Sequence, residues 1–195
     1  MDDLESRLGA YAPPLRPPTL RGDVTYTLHD TPVGRLLLAA DPLGLVASAY
    51  AATDEAEQGM AVRLARAVSP RVIRGSVPTL DETRRELDDY FAGRLRSFDV
   101  PVDTALLTPF QATVLQTLAQ AVPYGKTSTY GELARQVGHP TASRAVGVAL
   151  ARNPLCIVLP CHRVVGRDGS LTGYAGGVVA KRRLLDLESG PGSAD

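Results

Sequence analysis

Two helix-start signals in the second half of the chain constrain its fold more than any other feature: Thr108-Pro109-Phe110-Gln111 and Thr129-Tyr130-Gly131-Glu132. Each sets a hydroxyl to accept from the amide three residues on and a Gln or Glu to reach back to the cap amide, and Pro109 presets φ at the first helical position. Behind the first signal Phe110, Val114, Leu115, Leu118 and Val122 recur at helical spacing until Pro123-Tyr124-Gly125 stops the run. Behind the second, Leu133, Ala134 and Val137 form a short apolar side, and Gly138-His139-Pro140 reads as a tight turn. Thr141 is then expected to cap a third helix, in which Ala142, Ala145, Val146, Ala149 and Leu150 face the core while Arg144, Val148 and Ala151 point outward. Two short helices joined by a turn of about three residues with a glycine form a helix-turn-helix, found both in plain bundles and in DNA-binding modules. The outward face has small side chains and one arginine. It suits close approach to a groove floor, with Arg144 entering the base stack of an enzyme that extracts a base.

The first half has a different texture. Residues 1–22, with Pro13-Pro14 and Pro17-Pro18, read as an irregular leader. Apolar, β-rich runs at 24–28, 35–39 and 45–50, broken by Thr31-Pro32-Val33-Gly34 and Asp41-Pro42-Leu43-Gly44, predict a small antiparallel sheet. Helices are expected near 55–67 and 80–94, and the stretch with Pro101 up to Leu107 reads as a link. The predicted organisation is an α+β, two-domain chain: leader 1–22, N-terminal domain 23–98, linker 99–107 and a mainly helical C-terminal domain 108–190.

At 195 residues and 44% hydrophobic, the chain can bury one large core or two small ones. No apolar stretch nears the roughly 20 residues of a membrane span, and the start, Met1-Asp2-Asp3-Leu4-Glu5, is acidic where a secretory signal is basic; the expected location is the cytoplasm. The zero net charge hides an asymmetry. Residues 1–107 hold 12 basic and 16 acidic side chains, net −4, whereas 108–195 hold 9 and 5, net +4. A polyanion is drawn to the second half, unless the swing is ordinary surface scatter. Cys156 and Cys161 sit on a stretch that reads as extended, which puts their Cα atoms about 16 Å apart, beyond disulfide reach; both are expected as reduced thiols. With only His29, His139 and His162 to add, no metal site is expected.

The chemistry concentrates at Pro160-Cys161-His162-Arg163. A thiol of ordinary pKa near 8.5 is only a few per cent ionised at neutral pH, so a nucleophilic Cys161 needs a base, and His162 can serve directly or through one water. The plainer alternative is a buried structural cysteine. Asn153-Pro154 ends the third helix, and Asn153 either closes that turn or ties it to the loop of Cys161. In a last helix, about 178–188, Leu184 and Leu185 put Glu188 on the apolar face, where it either pairs with a histidine elsewhere in the fold or frays into water. The first option gives a thiol, imidazole and carboxylate relay through Cys161, His162 and Glu188. Gly173, Gly176 and Gly177 let backbone approach a flat ligand.

Ile157-Val158-Leu159-Pro160-Cys161-His162-Arg163-Val164, with Arg144-Ala145-Val146-Gly147 and Asn153-Pro154 upstream, resembles the active-site signature of the O6-alkylguanine-DNA alkyltransferases, densely over about 108–188. Residues 23–98 resemble that family's ribonuclease H-like domain in element order only. The resemblance implies that Cys161 receives the alkyl group, His162 deprotonates it through a water, Glu188 orients His162 and Asn153 braces the turn. It also implies that Tyr130 helps rotate the nucleotide out and donates to the departing guanine while Arg144 fills the gap. Thr129, Tyr130, Ala142, Arg144, Ala145, Val148 and Ala151 form the implied DNA-contacting set. Leu150, Tyr174 and backbone of Cys161, Val164, Ala175 and Gly176 form the implied guanine pocket. Ala175 stands where many relatives have serine, and the N-terminal zinc ligands of some relatives and any four-cysteine regulatory domain are absent from the sequence. The implied reaction is direct-reversal repair in a single turnover without a cofactor. Its implied partner is double-stranded DNA carrying O6-alkylguanine, with O4-alkylthymine a second candidate substrate. A monomer is expected, with cooperative DNA binding left open. The competing readings are a cysteine hydrolase, which regenerates its thiol, and a lesion-binding protein that transfers nothing.

Overall fold

A computed structural model describes residues 22–190; the proline-rich leader falls outside them except for Gly22. The first half forms β1 (Val24–Thr31), β2 (Gly34–Asp41) and β3 (Gly44–Tyr50), then α1 (Asp54–Ala67), β4 (Val72–Arg74) and α2 (Pro78–Phe91). The sheet order is β3-β2-β1-β4, with β1, β2 and β3 antiparallel and β4 parallel to β1. The three antiparallel strands lie where the sequence predicts them. The short β4 was not foreseen, since Val72-Ile73-Arg74 is too brief to show a period.

Central β2 is buried on both faces, which explains its unbroken Leu36 to Ala40 run. Leu37 and Ala39 pack with Leu64 of α1. Leu36, Leu38 and Ala40 turn the other way, onto Leu80, Leu87 and Tyr90 of α2 and onto Leu155, Ile157 and Val158 from the second half. The outer edge of β3 is also covered. Leu45 donates to Pro101 O (2.7 Å) and accepts from Asp103 N (2.9 Å), so part of the expected linker is a strand-like flap on the sheet. Further along, Ser48 N donates to Pro154 O (2.8 Å) and Cys156 N to Ser48 O (2.7 Å).

The second half comprises α3 (Pro109–Ala121), β5 (Ser128–Thr129), α4 (Tyr130–Gln136), α5 (Ser143–Ala151), a single 3₁₀ turn (Cys161–Arg163), β6 (Val164–Val165) and α6 (Gly177–Ser189). Both predicted capping boxes form, Thr108 with Gln111 and Thr129 with Glu132. α4 and α5 are the helix-turn-helix, packed on α3 through Val114, Leu115, Leu118, Leu133, Val146 and Ala149. Their connection is longer than expected. The chain makes an extra turn, Ala142 N to His139 O (2.9 Å), so Ala142 replaces Thr141 at the N-cap and gives no side-chain cap. Ala145 is exposed, not core-facing, because the apolar stripe of α5 narrows to Val146, Ala149 and Leu150. Among the described residues no helix is long and apolar enough to cross a membrane.

The largest departure is at 155–159. The sequence reads as extended, yet the segment is a tight reversal: Leu159 N donates to Leu155 O (2.8 Å), and Cys156 bridges Leu159. Ile157 stands at φ 73°, which costs a β-branched residue on the order of 1–3 kcal/mol. Burial of its side chain in the sheet core holds it there.

Candidate active site

The reversal aims Cys161 at a cavity of about 260 Å³ between the helix-turn-helix and the 173–175 loop. Tyr130, Leu150, Tyr174 and Ala175 line it together with both cysteines. Val164 and Gly176 lie behind this lining: Val164 is core, its carbonyl accepting from Lys181 Nζ (2.6 Å), and a side chain at Gly176 would strike the Tyr50 ring. β6 pairs with β5, Ser128 against Val164 and Thr129 against Val165, which ties the cysteine loop to the N-terminus of α4. Tyr130 therefore stands at the cavity mouth. Its hydroxyl bonds Thr172 Oγ1 at 3.2 Å.

Asn153 organises the turn with three bonds. Its Nδ2 donates to Leu159 O (2.9 Å) and Cys161 Sγ (3.2 Å), and its Oδ1 accepts from Leu155 N (2.9 Å). Behind the cysteine, α6 places Lys181 and Glu188 two turns apart on its buried side. Glu188 Oε1 accepts from Tyr90 Oη (2.7 Å), His162 Nε2 (2.9 Å) and Arg163 Nη2 (2.9 Å); Oε2 accepts from Arg163 Nε (2.9 Å) and Gly125 N (3.3 Å). The expected pairing of His162 with Glu188 is present, and the frayed alternative is not.

Burial alone would raise the Glu188 carboxyl, but bonds from His162, Arg163 and Tyr90 hold it at about 2. Burial keeps His162 below its ordinary 6.5, against the pull of Glu188. The Arg163 and Lys181 charges add to burial in disfavouring the charged imidazole. The carboxylate fixes its proton on Nε2, leaving Nδ1, which bonds no described protein group, as the basic nitrogen. Cys161 is shifted toward thiolate. The adjacent Cys156 thiol is the largest cause, aided by Asn153 and the Lys181 charge, and together they outweigh burial.

Arg144, Ala145, Val148 and Ala151 are exposed on α5, beside half-buried Ala142, Thr129 and Tyr130. A second cavity, about 380 Å³, runs along Thr129, Tyr130, Glu132, Arg135, Ser143 and Arg167. Sequence reasoning missed four groups that support the site: Arg163, Lys181, and from the sheet half Tyr90 and Tyr50. Tyr50 donates to Tyr174 Oη (3.4 Å) and meets its ring edge to face. Arg163 was readable from its place beside the Cys-His pair. The two tyrosines gave no sequence signal.

The chain matches the 6-O-methylguanine DNA methyltransferase family twice, through its ribonuclease-like domain at residues 24–104 and its DNA binding domain at 109–190. The methylated-DNA–protein-cysteine methyltransferase of Methanosarcina acetivorans is 42% identical over 163 residues, covering 84% of this chain and 97% of that protein. The protein of the same name from Mycolicibacterium paratuberculosis is 42% identical over 170 residues, covering 85% and 92%. The crystal structure of the Mycobacterium tuberculosis O6-methylguanine methyltransferase superposes with a TM-score of 0.71 at 38% identity, covering 88% and 96%. That of Mycobacterium tuberculosis OGT in complex with DNA gives 0.70 at 38% identity, covering 85% and 92%. Fold and comparisons thus define a DNA-binding protein of two family domains, with a buried cysteine next to a histidine bonded to Glu188. The chain belongs to the 6-O-methylguanine DNA methyltransferase family, whose reaction is transfer of a methyl group from DNA to a cysteine of the protein.

Proposed function

We propose that Cys161 takes the alkyl carbon from O6 of guanine in double-stranded DNA, once per molecule. The observation that carries this reading is the cysteine itself: it lines a cavity beside the helix-turn-helix, and the next two residues, His162 and Arg163, bond Glu188. The damaged nucleotide turns out of the duplex past Tyr130 into the space lined by Leu150, Tyr174 and Ala175, and Arg144 occupies the gap it leaves. Thr129, Ala142, Ala145, Val148 and Ala151 meet the groove and backbone. The Tyr130 ring lies against α5, where a Cβ at Gly147 would meet it at an ordinary 3.8 Å.

His162 Nδ1 takes the thiol proton through a bridging water, with the positive charge stabilised by Glu188. The thiolate attacks the alkyl carbon in line, an S–C bond forms as the C–O6 bond breaks, and the electron pair leaves on guanine, which Tyr130 Oη protonates. The product is a thioether, which resists reversal, so the molecule is spent. Added bulk on a sulfur packed among Asn153, Cys156 and Leu150 crowds its neighbours and lowers stability by roughly 1–3 kcal/mol. The protein acts as a monomer in the cytoplasm, where DNA is at hand and both thiols stay reduced.

Intact-mass measurement after mixing with duplex DNA containing O6-methylguanine tests the reading, with Cys161→Ser as control. One added methyl on the wild type and none on the control is the expected result. Repeated turnover of a thioester or ester substrate would instead favour a cysteine hydrolase, and tight lesion binding with unchanged mass a non-transferring binder.

A further inference from the structure

The second thiol forms and breaks no bond in the transfer reaction. Cys156 lines the same cavity as Cys161, five positions on in the sequence, and both sulfurs bond Asn153: Cys156 Sγ donates to its carbonyl (3.6 Å) and its Nδ2 donates to Cys161 Sγ (3.2 Å). The left-handed turn at Ile157 brings this about, folding Leu159 back beside Cys156 before Cys161 N closes onto Leu159 O (2.8 Å). Cys156 is anchored from the sheet half: its amide donates to Ser48 O (2.7 Å) and its carbonyl accepts from Ser48 Oγ (3.0 Å). Two sulfurs bonded to the same asparagine on fixed backbones, lining one cavity, form a dithiol site.

We propose that Cys156 is a resolving cysteine, so that a hydroperoxide reaching the cavity converts Cys161 and Cys156 into a reversible disulfide that switches the acceptor off and shields it from irreversible oxidation. In the first step the Cys161 thiolate attacks the distal peroxide oxygen; an S–O bond forms, the O–O bond breaks, and the remaining oxygen leaves as alcohol or water with a proton. In the second step the Cys156 sulfur attacks Cys161, the S–OH bond breaks, and water leaves carrying the Cys156 proton. Two thiols are oxidised by two electrons in all, and one peroxide is reduced by two. The pair is asymmetric in the required sense. Contact with Cys161 and burial push the Cys156 thiol up while Cys161 is pulled down, so Cys161 is the sulfur that meets the oxidant. Closing so short a loop constrains the unfolded chain little, so the bond adds little stability and stays open to reduction.

The test needs no DNA, so its failure is separable from failure of the alkyl-transfer reading. Wild type, Cys156→Ala and Cys156→Ser are treated with a few equivalents of hydrogen peroxide and weighed intact, and the tryptic peptide 153–163, which holds both cysteines, is sequenced by mass spectrometry. The expected wild-type product is lighter by about 2 Da, cross-linked within that peptide, and restored in mass by a dithiol reductant. Both variants are expected to gain about 32 Da at Cys161 and to resist rescue. The proposal is overturned if wild type gains that same mass as readily as the variants, or if its disulfide joins two molecules.

Discussion

The sheet half buries Leu36, Leu37, Leu38, Leu45, Val46, Leu64 and Leu80, a mainly aliphatic core in which Asp41 is the one buried ionisable group among the described residues apart from Tyr90, whereas the helical half buries His162, Arg163, Lys181 and Glu188 around its cysteine. The first kind of core is favourable through area removed from water, at about 25 cal/mol per Å², and tolerates apolar exchange. The second carries desolvated charges that are acceptable only while every partner is in place. The two halves therefore differ in what a mutation costs and in what it breaks. They are also interlocked, since the sheet half sends Tyr90 to Glu188, Tyr50 to Tyr174 and Ser48 to the cysteine turn. Removing the sheet half would strip Glu188 of its Tyr90 bond and the cysteine turn of its Ser48 anchor.

The sharpest way to separate the two cores is one truncation in each. Glu188→Ala is expected to cost roughly 3–5 kcal/mol, because it strands Arg163 as a buried charge, and to abolish efficient methyl uptake. Leu64→Ala is expected to cost about 2–5 kcal/mol while the surviving folded protein transfers at the wild-type rate. Urea unfolding and single-turnover mass kinetics read the pair, and equal loss of transfer in both would break the division. A finer test removes one hydroxyl from each half. Tyr90→Phe should cost about 1.5–3 kcal/mol and slow transfer, whereas Tyr26→Phe, which loses a half-buried bond to Glu57 (3.0 Å), should cost about 1 kcal/mol or less with no change in rate.

Acid should find the helical half first. Both His162 and Glu188 have folded pKa values below their ordinary 6.5 and 4.5, so the unfolded chain binds more protons in acid. Their contribution is complete above pH 6.5 and lost in two stages, as pH falls below 6.5 and then from 4.5 toward about 2. Urea midpoints across this range check it; Glu188→Ala should lack the lower stage. The smallest stability effect belongs to exposed Arg144. Arg144→Ala should change stability by no more than about 0.5 kcal/mol while weakening capture of lesion DNA, and a gel-shift titration showing unaltered affinity would remove it from the DNA-binding role.

Local signals were legible wherever neighbouring residues alone decide the outcome. Thr108 and Gln111, or Thr129 and Glu132, satisfy helix-end amides within four residues, so both caps formed as read. The three antiparallel strands followed from apolar runs between turns. The reading failed at 155–159, where a β-rich apolar string predicts extension and the protein instead makes a left-handed reversal at Ile157. It failed by less at Thr141, where local capping chemistry yielded to an added turn.

The sequence by itself located the candidate thiol, its adjacent imidazole, the helix-turn-helix and the two-part layout, because each is written in residues close together along the chain. Only the tertiary structure decided that Glu188 meets five donors from three separate segments, that Tyr90 and Tyr50 cross from the other half, and that Asn153 ties Cys156 to Cys161. Those contacts depend on burial against distant partners, and a buried charge or a reversed turn is stable only when the rest of the fold supplies what water and an extended backbone would otherwise provide.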